Sequence, residues 1–376
     1  MKKKLLGILL CIMMLASLLS ACGTKEKADT GSSTGAKTDS SSETQTADKG
    51  KTVGVCMPTK DLQRWNQDGE NMKKELEKAG YKVDLQYANN EIATQVSQIE
   101  NMITSGVDVL VIASIDGGSL GTVLADAKKQ GIPVIAYDRL IMETDAVSYY
   151  ATFDNYKVGQ IQGKYIVEAL DLENQSGPFN IELFAGSPDD NNARFFFGGA
   201  MDVLQPYIDS GKLKVVSGQT AFEEVATLNW SSEAAQSRME NLITAYYSDG
   251  TPLHVVYSSN DSCAIGITNP LVNAGFTKDN FPIITGQDCD IANMKNIIAG
   301  LQSMSIFKDT STLAAKVVEM VEAIMSGKEV PVKDTKTYDN GTGIIPTYLC
   351  DPVFADINNY KELLIDSGYY TEDQLK

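Results

Sequence analysis

The stretch Gly106-Val107-Asp108-Val109-Leu110-Val111-Ile112-Ala113 is an apolar run that stops abruptly at Ser114-Ile115-Asp116-Gly117. It lacks the polar/apolar alternation of a strand with one wet face. A short, near-continuous apolar run of this kind fits a strand covered on both sides, as in parallel sheets. The segments on either side, 92–105 and 119–130, show helical spacing and are followed by Gly106 and Gly131, glycines placed as helix caps. Strand, helix and strand in that order predict a crossover unit of a doubly wound sheet.

Working outward, the same rhythm repeats. Strands are expected at 53–57, 83–87, 107–113, 134–137 and 149–152, with helices at 67–79, 92–105 and 119–130. A second cycle follows. Its helices are expected at 155–170, 192–208, 232–247, 261–274 and 291–299, and its strands at 180–184, 214–217, 254–257, 283–285 and 303–307. A long helix at 310–325 ends at Gly327 and Pro331, and the tail carries turn signals at Asp339-Asn340-Gly341 and Asp351-Pro352. More than three hundred patterned residues exceed what one core usually holds. The expected fold is therefore α/β, with two doubly wound parallel-sheet lobes joined by a three-segment hinge. The crossings are expected near 155–157, 307–308 and 330–333. That assigns 52–156 and 308–331 to an N-terminal lobe, and 157–307 and 332–376 to a C-terminal lobe.

Both the beginning of the chain and its charge bear on location. Lys2-Lys3-Lys4 precedes an apolar segment at 5–18, the pattern of an export signal spanning 1–21. Leu19-Ser20-Ala21-Cys22 reads as a lipidation site with Cys22 as the acylated residue, which would hold the protein to a membrane surface. Residues 22–51 are rich in Ser, Thr, Gly and charge and are read as a flexible linker. The formal net charge is −17, which disfavours nucleic acid as a partner. Removing the signal would take away three lysines and no acid, leaving about −20. Cys56, Cys263, Cys289 and Cys350 are scattered without ligand spacing, so no metal or other cofactor is expected. The single histidine, His254, falls in a strand candidate and reads as structural.

In parallel sheets, ligands bind beyond the carboxyl ends of the strands. Here those ends carry Asp138-Arg139, Gly186-Ser187-Pro188-Asp189-Asp190-Asn191-Asn192, Asn260-Asp261 and Gln287-Asp288. Carboxylates accept the protons of hydroxyls, while Arg, Asn and Lys donate to hydroxyl and ring oxygens. Indoles suit the C–H faces of a sugar ring. Trp65 and Trp230 are the only tryptophans available. Together these residues point to a small polyhydroxylated ligand. The alternatives are an ion pair at Asp138-Arg139, helix capping at Asp190 and Asn192, and core packing for the tryptophans and for Phe195-Phe196-Phe197.

Several strings give the chain a family likeness. They are Met57-Pro58-Thr59-Lys60 with Arg64-Trp65, Gln98-Ile99-Glu100-Asn101-Met102-Ile103, Ala136-Tyr137-Asp138-Arg139, Phe153-Asp154-Asn155, the loop from Gly186 to Ala193 and Gly286-Gln287-Asp288. In this order the chain resembles the type I periplasmic sugar-binding proteins, above all the multiple-sugar-binding (ChvE-like) receptors, with the xylose-binding branch next. The resemblance implies a pyranose held between the lobes by Arg64, Asp138, Arg139, Asp190, Asn192, Asn260, Asp288 and Lys308, with Trp65 and Trp230 against the ring.

It also implies a monomeric binding protein, without enzymatic activity, that delivers an aldose such as galactose, glucose, xylose or arabinose to the permease subunits of an ABC transporter. The lipidation signal and linker differ from the soluble periplasmic members and suggest a surface-anchored lipoprotein of Gram-positive type. An alternative output is presentation of the closed form to a sensor kinase or chemoreceptor. A glycoside hydrolase using two of Asp138, Asp190 and Asp288 is disfavoured, because Arg and Asn beside these carboxylates suit acceptance of hydrogen bonds rather than proton donation.

Overall fold

The computed structural model describes residues 50–376. The export signal at 1–21, the lipidation residue Cys22 and nearly all of the expected linker lie outside the described residues. The elements of the first half, in chain order, are β1 (Thr52–Met57), α1 (Gln63–Lys78), β2 (Lys82–Tyr87), α2 (Ile92–Ser105), β3 (Val109–Ile112), α3 (Gly121–Lys129), β4 (Val134–Tyr137) and β5 (Val147–Phe153). The second half comprises α4 (Asn155–Ala169), β6 (Phe179–Phe184), α5 (Asn191–Asp209), β7 (Leu213–Val215), α6 (Phe222–Val225), α7 (Ser232–Leu242), β8 (Val255–Ser258), α8 (Asp261–Asn273), β9 (Ile283–Ile284), α9 (Ile291–Ala299) and β10 (Met304–Phe307). Then come α10 (Thr310–Ser326), β11 (Thr347–Cys350) and β12 (Val353–Asp356).

The first sheet has the order β11-β5-β4-β3-β1-β2 and is parallel throughout. Its strands divide their side chains between two cores, as the two-residue period of a strand requires. Val53, Val55, Val109 and Val111 face the side covered by α1 and α10, where Met72, Leu76, Leu313 and Val317 pack. Cys56, Leu110 and Ile112 face Ile99, Met102 and Leu124 on the opposite side. Burial on both faces is why β3 reads as a continuous apolar run.

The second sheet orders β7-β6-β8-β9 in parallel. It continues through a bridge from Gln287 to Ile306, and β10 pairs antiparallel with β12. Helices α4 and α5 approach unusually closely. A Cβ on Gly159 would sit 1.9 Å from the Phe196 carbonyl oxygen, and one on Gly199 would sit 2.1 Å from that of Tyr156. Only glycine permits this spacing.

Three connections join the halves. The chain passes from β5 to α4 through Asp154, whose side chain caps α4 by accepting from the Lys157 N–H. It returns from β10 to α10 through Lys308 and Asp309, the latter accepting from Ser311 and Thr312 N–H. The third connection differs from the expected one at 330–333. Strand β11 pairs with β5, Thr347 opposite Tyr150 and Cys350 opposite Phe153, so residues 347–350 belong to the first sheet. The crossing lies at Asp351-Pro352, between β11 and β12. A proline cannot donate to a ladder, so the strand stops there.

Beyond β12 the chain packs against α9. Leu364, Tyr370 and Leu375 bury with Cys289, Met294 and Ile297. Tyr370 also reaches the first half, where its hydroxyl accepts from Gln63 Nε2 at 2.7 Å and Gln67 Nε2 at 3.0 Å. Gln63 in turn accepts from the Ile291 N–H at 3.2 Å, and the Gly117 N–H donates to the Asp189 carbonyl at 3.3 Å. The halves therefore meet directly on both sides of the space between the sheets, a closed arrangement.

Candidate functional site

The carboxyl ends of both sheets converge on one cavity. From the first half, the turn after β1 leads into α1, which starts four residues earlier than the pattern predicts. Arg64 and Trp65 thus stand in its first helical turn, 5% and 3% exposed. Asp138 and Arg139 follow β4. Asp138 has φ of 58°, a left-handed conformation that Asp tolerates better than most residues. Its main chain is tightly fixed. The N–H donates to the Ala151 carbonyl at 2.8 Å, and its own carbonyl accepts from Tyr150, Thr152 and Asn192.

From the second half, Asp190 caps α5 by accepting from the Asn192 N–H at 2.9 Å, and Phe196 follows on the same helix. Trp230 ends a short 3-10 turn at Leu228–Trp230, and its carbonyl accepts from Ser262 Oγ at 2.7 Å. Asn260 caps α8 through the Cys263 N–H. Gln287, Asp288 and Asp290 lie between β9 and α9, and Lys308 follows β10.

Charge in this cavity is organised around Arg64. Its Nε lies 2.9 Å from Asp68 Oδ2, Nη1 3.1 Å from Asp288 Oδ1, and Nη2 2.5 Å from Asp138 Oδ2. Tyr137 donates to the other oxygen of Asp68. Lys308 Nζ is 3.0 Å from the same Asp288 oxygen, and Arg139 Nε is 2.9 Å from Asp190 Oδ2. The guanidinium carbons of Arg64 and Arg139 lie 5.2 and 4.9 Å from the Trp65 ring centre. Phe196 and Trp230 meet edge to face at 6.2 Å in the opposite half.

The titration of the carboxyls follows these neighbours. Burial opposes ionisation of Asp138, but Arg64, Lys308 and Arg139 outweigh it and hold the group below its ordinary value. Burial dominates at Asp190, with Arg139 offsetting only part of it, so that carboxyl is pushed up. Asp68, fully enclosed, rises to about 6 despite Arg64. Asp290 rises to about 7 through burial and the neighbouring Asp288.

Nine of the ten residues expected at the site line this cavity: Arg64, Trp65, Asp138, Arg139, Asp190, Trp230, Asn260, Asp288 and Lys308. Asn192 does not. Its amide donates to the Asp138 carbonyl at 2.7 Å and accepts from Tyr150 and Asn155, so it positions Asp138 from behind. Capping and lining coincide at Asp190 and Asn260. Leu62, Phe196, Ser262, Gln287 and Asp290 also line the cavity and were not among the expected ligand-binding residues. Gln287 lies inside the strand-end motif Gly286-Gln287-Asp288, and Phe196 lies in the aromatic run whose pattern favours helix packing but leaves one ring free to reach a ligand. Asp290 gives no signal beyond its position two residues after Asp288. His254 sits just before β8, where Nδ1 accepts from the Asn180 N–H at 2.9 Å, a structural role. The four cysteines at 56, 263, 289 and 350 are free and buried. Among the described residues no cluster of metal-ligating side chains is found, and no helix is long and apolar enough to cross a membrane.

Four buried side-chain atoms at the cavity have no hydrogen-bond partner among the described residues: Arg139 Nε, Trp230 Nε1, Gln287 Oε1 and Asp290 Oδ1. The Arg139–Asp190 pair is close enough to be ionic without its N–H being aligned on the oxygen. Unpaired buried donors and acceptors are costly, so a wall with four of them suits a ligand rich in both.

A two-lobed α/β fold with a charged, indole-lined cavity at facing strand ends defines a solute-binding protein of periplasmic type. Residues 53–329 match the model of the periplasmic binding protein domain, and the chain belongs to the type I periplasmic sugar-binding proteins. It is 54% identical over 332 residues to the multiple sugar-binding periplasmic receptor ChvE of Rhizobium radiobacter, covering 88% of this chain and 93% of that one. It is 40% identical to the D-xylose-binding periplasmic protein of Escherichia coli over 86% of this chain and 92% of that protein. Among solved structures, an ABC transporter solute binding protein from Clostridium phytofermentans with bound β-D-glucose is 69% identical. It has a TM-score of 0.85, and the match covers 87% of this chain and 100% of that one.

Proposed function

We propose that this protein is an extracytoplasmic receptor that encloses one aldose in its pyranose form and delivers it to the permease of an ABC transporter. The observation that carries the reading is the set of four buried polar atoms without a hydrogen bond on a wall that also holds three cations, three ionic carboxylates and two indoles. Asp138 and Asp288 accept from sugar hydroxyls, and Arg64, Arg139, Asn260 and Lys308 donate to sugar oxygens. Trp65 and Trp230, from opposite halves, offer apolar faces to the C–H surfaces of the ring. Opening about the three connections admits the sugar, and closing removes it from water. The glucose-bound relative and the sugar-binding relatives support a hexose or pentose as cargo.

Anchoring through an acylated Cys22 would keep the receptor beside its permease on the outer face of the membrane. Incorporation of labelled palmitate, lost on Cys22→Ser, tests that part. Isothermal titration against D-glucose, D-galactose, D-xylose and L-arabinose tests the binding. Absence of binding tighter than millimolar to all four would overturn the assignment. Loss of sugar uptake on deletion supports delivery; retained uptake with lost sugar-induced signalling supports presentation to a sensor instead.

A further inference from the structure

The cavity contains one acidic group that forms no direct ion pair with its cations. Arg64 is engaged by Asp68, Asp138 and Asp288, Lys308 by Asp288, and Arg139 by Asp190. Asp290 has no such partner. Its main-chain N–H donates to Asp261 Oδ2 at 2.9 Å, which fixes the residue at the start of α9. The residue lines the cavity, and its Oδ1 is buried and meets no donor among the described residues. The nearby Asp261 makes no hydrogen bond to this atom; its two oxygens accept from Ser305, Gln302 and the Asp290 N–H.

We infer that Asp290 is a specificity residue of this site, its Oδ1 accepting a hydrogen bond from one particular hydroxyl of the bound sugar. The inference rests on the sugar-binding reading above and deepens it. A buried acceptor without a donor is unfavourable in the empty protein, and a ligand hydroxyl placed against it removes that penalty. A sugar lacking that hydroxyl leaves the acceptor unpaired, so the position discriminates against deoxy analogues. The charged and titratable groups facing Asp290 are Asp288 and Cys289 on its own segment, Asp261 on α8, Arg64 on α1, Lys308 after β10 and Tyr370 from the C-terminal segment. With Asp288 beside it and burial opposing its charge, Asp290 titrates near neutrality, and its acceptor strength follows.

The test uses D-glucose and its monodeoxy analogues, titrated into wild type, Asp290→Ala and Asp290→Asn by calorimetry. In the wild type one analogue is expected to bind about tenfold or more below the other analogues. In Asp290→Ala that excess loss disappears. Glucose affinity of the wild type should rise between pH 5.5 and 8 more steeply than that of Asp290→Asn, which keeps the size of the side chain. If every analogue loses the same factor in wild type and in Asp290→Ala, and the pH profiles superpose, Asp290 only shapes the wall and the inference falls. A wild type that binds no sugar would overturn the proposed function as well, so the two failures are distinguishable.

Discussion

Arg64 and Lys308 converge on one oxygen, Oδ1 of Asp288, at 3.1 and 3.0 Å. The first cation comes from α1 in the first half, the second from the connection after β10, and the carboxylate from the second half. One carboxylate thus joins both halves and one hinge segment.

Removing the central cation should therefore be severe. Arg64→Ala leaves Asp68, Asp138 and Asp288 buried without their common partner, and breaking a buried pair on one side costs about 3–5 kcal/mol. We expect glucose affinity to fall by on the order of a hundredfold or more, with a lowered Tm. Arg64→Lys should recover only part, because a point charge cannot serve three carboxylates as a planar fork does. Calorimetry and thermal unfolding of the two variants decide this. Wild-type affinity in Arg64→Ala would place the ligand elsewhere.

Both tryptophans of the chain, Trp65 and Trp230, stand at the cavity, 3% and 4% exposed. Sugar binding should accordingly change the intrinsic tryptophan emission of the protein. Trp65→Phe and Trp230→Phe should each remove part of the change and weaken binding several-fold, by about 0.5–1.5 kcal/mol. A fluorescence signal unchanged at saturating glucose would contradict a ring held near the indoles.

Buried carboxyls raised above their ordinary values, Asp68, Asp190, Asp261 and Asp290, give the protein an unusual pH response. Asp68 titrates at about 6 and Asp290 at about 7 in the fold, against about 4 for an unfolded Asp. Between those values the folded state holds protons that the unfolded chain has released, so stability falls as pH rises from 4 to 7. Asp138, held below its ordinary value by Arg64 against the pull of burial, acts in the opposite sense and loses its contribution only as pH falls through its own titration. Urea midpoints should be lower at pH 8 than at pH 5, and Asp290→Asn should reduce the difference. An equal drop in variant and wild type would remove Asp290 from this account.

How far the sequence could be read depended on where the deciding contacts lie. Helices α2 and α9 coincide with the expected 92–105 and 291–299, because Gly106 and Gly300 end them in left-handed conformation and their apolar spacing is local. Helix α1 starts earlier than its apolar spacing indicates. Leu62 provides no side-chain cap, so nothing local marks Gln63 as helical. Strand β11 could not be assigned to a sheet from its four residues, because its partner β5 lies almost two hundred positions earlier and short apolar runs carry no address. Site residues at strand ends were legible, since a parallel sheet delivers them to one edge. Asn192 shares the Asp190 loop but bonds Asp138 from behind the wall, a difference of side-chain direction that spacing does not reveal. Trp230 reaches the cavity through φ of 57° in an irregular segment with no period.

The seat of Trp230 depends on Gly186, the residue that follows the apolar run of β6. A Cβ at Gly186 would lie 2.0 Å from Cη2 and 2.3 Å from Cζ3 of the indole, far inside contact distance. The Gly186 carbonyl accepts from the Thr227 N–H at 3.1 Å, tying its backbone to the segment that carries the tryptophan. In Gly186→Ala the ring, which lines the cavity, is therefore the part that must move. Overpacking of this kind costs about 1–3 kcal/mol of stability, which a two-lobed protein of this size can tolerate while remaining folded. Glucose affinity should fall by more than the loss of the indole alone in Trp230→Phe, because the displaced ring disturbs the cavity wall as well as losing its own contact. Circular dichroism establishes that the variant is folded, and calorimetry compares the two affinities. Tighter binding by Gly186→Ala than by Trp230→Phe would show that the indole does not border the ligand.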